Sequence, residues 1–532
     1  MMKKTLQSLL QKALDRLRER YQFRAMKADE IPVEHAENPE HGTYASSVAL
    51  QLAKALNKNP LEIAALLKQE LEKISLASVE KIEIAGPGFL NFFLPPGFFR
   101  ATLSNILKEK DRFGFSSLGK GKSVQIEFIS ANPTGPLTLA NARGGFYGDT
   151  LANVLASAGF RVERAYYVND HGNQILALGH SVLQDDQAVY KGEYIDKLHS
   201  RVKLKDPYKA GEKAASIILK EMIKKTIKRM GISYDDWALE SALHKSFKVD
   251  KALSLLKTKG ETYEQDGAVF FRAKQYGDVR DRVVVKSDRA KTYLAGDIAY
   301  HLYKFKERKF HKAINIWGAD HQGDVVGLKG AMAALGHKGK LDVILLQFVT
   351  LLSKGEIVRM SKRKGVYVTV DDLLDEVGND AARFFMLQRA NNTHLNFDLA
   401  LAKEQSEKNP MYYVQYAHAR ISSILRKAGK KNAAGITPGL FALLQAPDEI
   451  ALVKRLARLP EIVEETSGDY QVQRLPQYAL ELAASFHQFY QTSQVLGDDP
   501  RMTQARLALV SAVKIVLKNT LSLMGITAPE KM

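Results

Sequence analysis

The chain has 532 residues, 45% of them hydrophobic and 26% charged, which excludes a disordered or fibrous protein. Its net charge at pH 7 is +18, and so large an excess favours a polyanionic partner such as nucleic acid. The sequence has no cysteine, so disulfides, a cysteine nucleophile and thiolate metal sites are excluded. At roughly 150 residues per domain, the length predicts three or four domains. The start has no signal-peptide pattern and no apolar run approaches the roughly 20 residues of a membrane span, so we expect a cytoplasmic protein.

The first domain is expected over residues 1–115 as a small α/β unit. Apolar residues recur every fourth position from Tyr44 to Leu56, which predicts one face of a helix, and Asn59-Pro60 predicts the start of the next helix. Two apolar runs, 79–85 and 89–94, are separated by a Gly-Pro-Gly turn and predict paired strands.

The second domain, 116–395, alternates strand-like and helix-like segments. Strand, helix and strand are expected in turn over 124–168, and the pattern returns at 313–350. Such alternation favours an α/β fold with a Rossmann-type, doubly wound parallel sheet. The polar, Lys-rich stretch at about 180–280 is interpreted as an insertion into this domain. From 396 to 532 the pattern is helical throughout, which predicts an all-α third domain.

Two segments have the composition of a phosphate site. The first, Ser130 to Pro136 (Ser-Ala-Asn-Pro-Thr-Gly-Pro), follows a predicted strand and opens a predicted helix, where backbone N–H groups favour anions. The second, Arg359 to Lys362, lies in a basic loop between strand-like 356–358 and 366–370, and its cations suit a departing pyrophosphate. Each segment alone is more often an ordinary turn or a solvated loop, so the pair carries the signal.

Taken together, the two segments resemble the signatures of class I aminoacyl-tRNA synthetases. Other motifs resemble arginyl-tRNA synthetases, and the resemblance covers essentially the whole chain, least at 180–280. These motifs are His41-Gly42-Thr43-Tyr44-Ala45, Tyr167-Val168-Asn169-Asp170 with Gly172-Asn173-Gln174, Asn409 to Arg420, and the closing residues 523–532. The resemblance implies ligation of L-arginine to tRNA(Arg) through an arginyl-adenylate, giving AMP and pyrophosphate. It further implies ATP as a substrate, Mg²⁺ bound with that ATP, no metal held by the protein itself, and a monomer.

The first signature departs from the family pattern, which usually has two histidines. Those positions are here Thr138 and Asn141, which can donate hydrogen bonds but cannot become cations. Losing a charge-assisted donor costs on the order of 10²-fold in rate. The first-signature segment consists of Ala131, Asn132, Pro133, Thr134, Gly135, Pro136, Leu137, Thr138, Leu139, Ala140 and Asn141.

The resemblance assigns roles residue by residue. The catalytic residues are Thr138, Asn141, Arg359, Met360, Ser361 and Lys362. The residues that bind ATP are Thr138, Asn141, His321, Ser361 and Lys362. Carboxylates suit the guanidinium of arginine, and the arginine-binding residues are Glu127, Ser130, Asn132, Tyr293, Asp297 and Gln322.

The third domain resembles the anticodon-binding domain of the family. Aromatic faces, polar edges and a cation suit the splayed bases of an anticodon loop, and the tRNA-binding residues are Tyr412, Tyr413, Gln415, Tyr416 and Arg420. The alternative for Tyr412 and Tyr416, which share one helix face, is a place in the helix core. By resemblance the first domain also contacts tRNA, with Tyr44 and Asn91 as candidates.

Two other functions stay open at this point. A synthetase paralogue without the signature histidines would bind tRNA without catalysis. A class I synthetase for another amino acid is the second alternative, but the carboxylates of Glu127 and Asp297 disfavour an apolar or acidic substrate.

Overall fold

A computed structural model describes residues 2–36, 38–74, 78–353, 355–357, 368–433 and 438–532. The strands are β1 (Glu34–His35), β2 (Tyr44–Ser46), β3 (Lys81–Ala85), β4 (Phe89–Phe93), β5 (Ser123–Glu127), β6 (Arg161–Val168), β7 (Asp236–Leu239), β8 (Thr262–Gln265), β9 (Ala268–Phe271), β10 (Arg282–Val285), β11 (Lys312–Gly318), β12 (Leu341–Leu346), β13 (Val349–Ser353), β14 (Glu356–Ile357) and β15 (Leu395–Asp398).

The helices follow the same chain order. They are α1 (Met2–Arg18), α2 (Val48–Leu56), α3 (Pro60–Glu72), α4 (Pro96–Glu109), α5 (Leu139–Ser157), α6 (Asn173–Leu183), α7 (Glu193–Arg201), α8 (Pro207–Ile218), α9 (Lys224–Arg229), α10 (Glu240–Lys245), α11 (Lys248–Thr258), α12 (Tyr293–Leu302), α13 (Gln322–Ala334), α14 (Val370–Leu387), α15 (Leu399–Lys403), α16 (Pro410–Ala433), α17 (Pro447–Leu456), α18 (Leu459–Asp469), α19 (Arg474–Thr492) and α20 (Pro500–Leu523). In the described part of the chain, no helix is both long and apolar enough to span a membrane.

The N-terminal part is a small sheet of order β1-β2-β4-β3 covered by helices. Helix α3 begins as predicted, because the Asn59 side chain accepts a hydrogen bond from the N–H of Leu61 at 2.9 Å. The prediction for Tyr44 is wrong, since Tyr44 lies in β2 and the helix starts only at Val48. Four-residue spacing alone does not distinguish a helix from a strand followed by a helix.

Neither N-terminal candidate for tRNA contact lies at the surface. Tyr44 is 2% exposed, and its hydroxyl donates to Oε1 of Glu461 in α18 at 2.7 Å. Asn91 is 3% exposed and lies in β4 between β2 and β3. Both side chains therefore serve the domain core or its contact with α18, and the expectation that they contact tRNA is wrong.

The predicted Rossmann-type sheet is confirmed: its order is β12-β11-β5-β6-β7, and all neighbouring strands are parallel. Strand β6 has the predicted bounds, and α5 follows β5 as expected. One correction concerns the stretch 180–280, because β7 within it is the edge strand of this same sheet. Its four residues are too short to stand out from the polar helices around them. The rest of the stretch includes α7–α11 and the small antiparallel sheet β10-β9-β8.

The C-terminal part is helical from α15 onward, as predicted, and packs against the central domain. Arg383 of α14 is 0% exposed and joins three regions of the chain. It donates to the Asp149 carboxylate at 2.7 Å and to the backbone carbonyls of Met230 and Met524 at 2.8 Å each. Helix α20 ends at Leu523, and Gly525 adopts φ +68°, consistent with the predicted stop.

Candidate active site

The candidate site lies at the carboxyl ends of β5, β6 and β7, where ligands bind in open parallel sheets. The chain turns sharply after β5, with Ile129 at φ +65° and Ser130 at φ +41°. The Ser130 hydroxyl accepts a hydrogen bond from the backbone N–H of Tyr167 at 3.0 Å and donates to Oε1 of Glu127 at 3.4 Å. The strained turn is thereby tied to both neighbouring strands, and Ser130 and Glu127 are brought together as predicted.

The first-signature positions Thr138 and Asn141 form the cap of helix α5. Oδ1 of Asn141 accepts from the backbone N–H of Thr138 at 2.8 Å and from its hydroxyl at 3.1 Å. We had expected both side chains to lie on one helix face and donate outward. In this structure the Thr138 hydroxyl is engaged within the cap, and the Asn141 amide nitrogen is the group left to donate to a ligand.

The first signature is also tied to the segment that follows the second. Thr138 forms a backbone bridge with Thr369, and the N–H of Val370 donates to the carbonyl of Leu137 at 2.9 Å. Residues 359–362, namely Arg359, Met360, Ser361 and Lys362, lie outside the described residues, as do 366 and 367 of the predicted second strand. Val370, expected at the end of that strand, is instead the first residue of α14.

Three carboxylates converge on one pocket. Glu127 ends β5, Glu240 directly follows β7, and Asp297 lies one turn into α12. Helix α12 approaches Glu240 closely, since a Cβ on Gly296 would lie 3.3 Å from Oε1 of Glu240 and 3.8 Å from the Tyr167 hydroxyl. Glu127 and Glu240 are 5% and 6% exposed. Together with the partly buried Asp297 they form an acidic site suited to an organic cation.

Burial and mutual repulsion shift the protonation of these carboxyl groups. Burial, with Glu127 and Glu240 as the next contributors, raises the pKa of Asp297 to about 8. Burial and Asp170 raise the pKa of Glu240 to about 7. Within the described chain, Oε2 of Glu240 is buried without a hydrogen-bond partner. A buried carboxylate oxygen without a donor leaves an acceptor for a ligand.

Sequence reasoning missed Glu240 because the stretch 180–280 was interpreted as an insertion outside the sheet. A signal was available: a carboxylate directly after a strand that belongs to a parallel sheet lies at the ligand-binding edge. It also missed Lys304, whose Nζ contacts Oε2 of Glu127 at 2.6 Å. Among the residues described, no group of three or more His, Asp or Glu side chains is arranged to hold a metal ion.

The other predicted ligand residues line the rim of the site. The Asn132 amide donates to Oε1 of Gln174 at the start of α6. Tyr293 is 58% exposed, and the nearby Glu240 carboxylate adds to the rise of its pKa. His321 and Gln322 lie at the carboxyl end of β11, both exposed, and the His321 ring is 5.8 Å from that of Trp317.

A second feature is an aromatic cavity of about 420 Å³ on the C-terminal helices. The rings of Tyr412 and Tyr416 are stacked at 6.3 Å, and the Arg420 guanidinium lies 4.6 Å from the ring centre of Tyr490. The cavity is lined by Ser406, Glu407, Tyr412, Tyr413, Tyr416, Arg420, His487, Tyr490 and Gln491. Gln415 is not part of it.

Gln415 faces the opposite way and is 6% exposed. Its amide nitrogen donates to the Asp380 carboxylate at 2.8 Å and to the carbonyl of Thr527 at 3.0 Å. The structure therefore gives Gln415 a role in holding the end of the chain and does not bring it together with the four other predicted tRNA contacts.

Comparison with known proteins agrees with this arrangement. Residues 193–402 match the model of the tRNA synthetases class I (R) catalytic domain, so the protein is a class I aminoacyl-tRNA synthetase by fold and site. Residues 4–94 match the arginyl tRNA synthetase N terminal domain and 414–532 the DALR anticodon binding domain. The chain belongs to the arginyl-tRNA synthetase family.

The relatives match nearly end to end. Arginine–tRNA ligase of Moorella thermoacetica is 43% identical over 95% of both chains, and that of Desulforamulus reducens is 41% identical over 100% of this chain and 99% of its own. The crystal structure of Thermus thermophilus arginyl-tRNA synthetase superposes with a TM-score of 0.81 over 100% of both chains at 24% identity. At that identity, the superposition with the Thermus thermophilus structure is evidence for the fold alone.

Proposed function

We propose that the chain ligates L-arginine to tRNA(Arg) with the energy of ATP, as its family does. The observation that carries this proposal is the buried acidic pocket of Glu127, Glu240 and Asp297 beside a helix N-terminus. The pocket supplies carboxylates for a guanidinium, and the helix supplies backbone N–H groups and a favourable dipole for a phosphate. A chain that only bound tRNA would need neither.

In the proposed reaction the arginine carboxylate attacks the α-phosphate of ATP. Arginyl-adenylate forms as the bond to pyrophosphate breaks, and the 2′-hydroxyl of the terminal adenosine then takes the arginyl group and releases AMP. The Asn141 amide nitrogen and the N-terminus of α5 would stabilise charge on the α-phosphate. Lys362, with Arg359, Met360 and Ser361 around it, would neutralise the departing pyrophosphate, and Mg²⁺ would come bound to ATP rather than held by the protein.

Recognition of arginine is proposed to divide between the two ends of the substrate. Asp297 and Glu240 are the acceptors for the guanidinium, with Glu127 beside them and Tyr293 at the entrance. Ser130, Asn132 and Gln322 would hold the α-amino and carboxylate groups, while His321 would contact the adenosine. A pocket that requires several N–H donors rejects analogues that lack them, which is consistent with a synthetase without editing.

For tRNA we propose the aromatic cavity as the contact for anticodon-loop bases. Tyr412, Tyr413, Tyr416 and Arg420 present ring faces and a cation there, as base stacking requires. We propose that residues 1–115 contact tRNA, residues 116–395 form the catalytic domain and residues 396–532 bind the anticodon. We further propose a monomer that works in the cytoplasm.

The direct test is charging of radiolabelled arginine onto unfractionated tRNA by the purified protein with ATP and Mg²⁺. We expect arginine to be charged and the other amino acids to be rejected in the same panel. Binding of tRNA without charging of any amino acid would favour the non-catalytic paralogue. Charging of a different amino acid would overturn the assignment of the pocket.

A further inference from the structure

A group of polar side chains is buried between the central sheet and α12, directly beneath the acidic pocket. Glu127 and Asn315 are direct neighbours across β5 and β11. Lys304 reaches them from the π-helical turn 303–307 that continues α12, and π-helical turns are frequent at functional sites. Lys304 and Asn315 are both 0% exposed.

Lys304 forms an ion pair with Glu127 that is almost free of water. Its Nζ lies 2.6 Å from Oε2 of Glu127, with the two side chains 1% and 7% exposed. The same ammonium group lies 3.4 Å from Oδ1 of Asn315 and 4.2 Å from the ring centre of Tyr300. In the part of the chain that the structure describes, no other lysine or arginine forms an ion pair with Glu127.

The neighbouring histidine does not share this positive charge. Asn315 donates its amide N–H to Nε2 of His301 at 2.8 Å, and Nδ1 of His301 donates to the carbonyl of Asp297 at 2.7 Å. Burial and the Lys304 charge lower the pKa of His301 to about 3, so the ring is neutral. Burial lowers the pKa of the Lys304 ammonium, and the Glu127 carboxylate at 2.6 Å counters that shift, while His301 holds the backbone of Asp297.

Such a pair is a poor way to stabilise a fold. Removing two charges from water costs about as much as the pair returns, and apolar replacement of both partners is often neutral or stabilising. Removing one partner leaves the other buried and unpaired, which favours its neutral form. What the pair does provide is a fixed position for a buried carboxylate next to two others, with its Oε1 still accepting a hydrogen bond from Ser130.

We propose that Lys304 is a positioning residue for arginine recognition: it pairs with Glu127 and holds its carboxylate in place beneath the pocket, without touching the substrate itself. This inference rests on the proposed function, because it concerns the affinity of that site for arginine. Without Lys304, Glu127 loses its buried cationic partner, and its carboxylate is no longer fixed at the site.

The test compares Lys304→Met in two backgrounds, the native chain and Glu127→Gln. The KM for arginine, the KM for ATP and kcat are measured by charging at about pH 7 and 8.5. The matched control is Lys312→Met, which removes a lysine of β11 that is paired with Asp342 at 2.6 Å. The titratable or charged groups that face the pair from the surrounding elements are His301, Asp297, Glu240, Tyr167, Tyr300 and Asp236.

In the native background we expect Lys304→Met to raise the KM for arginine at least tenfold at about pH 7, with kcat and the KM for ATP within about threefold. In the Glu127→Gln background the same substitution should change the KM for arginine less than about twofold, because no charge remains to be held. The double variant leaves neither partner unpaired, so its KM for arginine can be compared with that of the native chain even where a single variant, left with one buried unpaired partner, unfolds.

Two results would overturn the inference: an unchanged KM for arginine in Lys304→Met, or a further large rise of this KM in the double variant relative to Glu127→Gln. Each would mean that Lys304 does not act through the charge of Glu127. Failure of the native chain to charge arginine would instead overturn the proposed function itself, so the two failures are distinguishable.

Discussion

Asp297 gives the sharpest test of the acidic pocket, because its protonation and its binding role oppose each other near neutral pH. The pKa of its carboxyl group is raised to about 8 by burial and by Glu127 and Glu240. The free protein therefore holds a proton on Asp297 at neutral pH, and a guanidinium must displace it. We expect arginine binding to release a proton and to strengthen as the pH rises.

The size of this effect follows from the titration. A group with a pKa of about 8 is roughly 9% ionised at about pH 7 and 76% at about pH 8.5, which is about an eightfold increase. Together with the roughly twofold share of Glu240, the affinity of the native chain for arginine should rise about sixteenfold over that range. Asp297→Asn removes one partner of a buried charge pair, which costs about 3 kcal/mol, or roughly 10²-fold in the KM for arginine. In this variant the rise between the two pH values should shrink to about twofold, the share left to Glu240 with its pKa of about 7.

The assay is the KM for arginine in the charging reaction, with calorimetric arginine binding in two buffers to count released protons. The control is Asp111→Asn, an exposed carboxylate that pairs with Lys518 at 3.0 Å far from the pocket. The raised pKa of Asp297 also affects stability: it favours the folded protein without arginine at low pH and ceases to do so as the pH rises through about 8. We therefore expect arginine to raise the Tm more at about pH 8.5 than at about pH 7. A KM for arginine that is flat with pH in the native chain, or unchanged in Asp297→Asn, would refute the reasoning.

Three further predictions concern the cap, the domain contact and the tRNA site. Asn141→His should make the rate of ATP–pyrophosphate exchange change with pH near the histidine pKa of about 6.5. The same variant loses the hydrogen bond to Thr138 that caps α5, which should lower the free energy of unfolding by about 1 kcal/mol. A pH dependence of the exchange rate identical to that of the native chain would contradict this prediction. Glu461→Gln should lower the free energy of unfolding, measured in urea at pH 7, by about 3 kcal/mol, because His35 and Tyr44 help to hold the pKa of Glu461 down to about 2. This stabilisation is present above the unfolded pKa of about 4.5 and is lost as the pH falls through about 2. A difference in stability between variant and native chain that is as large at acid pH as at pH 7 would refute the prediction. Arg420→Ala should raise the KM for tRNA about tenfold and leave the KM for arginine unchanged, and an unchanged KM for tRNA would remove the aromatic cavity from the binding surface.

Local signals of high specificity were the most reliable guides to the fold. Asn59-Pro60 predicted a helix start because the cap and the fixed φ of proline act within a few residues. The eight residues of β6 lie between turn-forming residues, Gly159 on one side and Asn169-Asp170 on the other, which marked its bounds. Strand β7 has only four residues and depends on β6 for its pairing, so nothing local marked it. Tyr44 repeated a helical spacing yet lies in a strand, because tertiary contact with Glu461 decides its place.

At the site, too, residues marked by local sequence motifs could be predicted, and residues placed there by tertiary contacts could not. Glu127 and Asp297 follow motifs that the family shares, and both face the pocket. Glu240, directly after β7, is 57 residues from Asp297 in the sequence, and Lys304 is 177 residues from Glu127, so neither contact could be predicted without the order of the strands. The cap formed by Thr138 and Asn141 was misjudged because the sequence does not reveal which hydrogen bonds a side chain makes within the protein itself.

The charge of the pocket does not by itself select arginine. Three carboxylates and one lysine leave an excess of two negative charges when all are ionised, and both arginine and lysine as free amino acids bring two cationic groups. The difference lies in the donors: a guanidinium has five N–H groups in a planar fork, whereas an ammonium is a compact point charge. A bound lysine would leave acceptors such as Oε2 of Glu240 buried without a donor, at about 1–3 kcal/mol for each. Two such oxygens already correspond to roughly 10²-fold or more in affinity. Under the proposed function, discrimination would therefore rest on buried oxygen atoms that only a fork of donors satisfies, with Lys304 keeping Glu127 in place beside them.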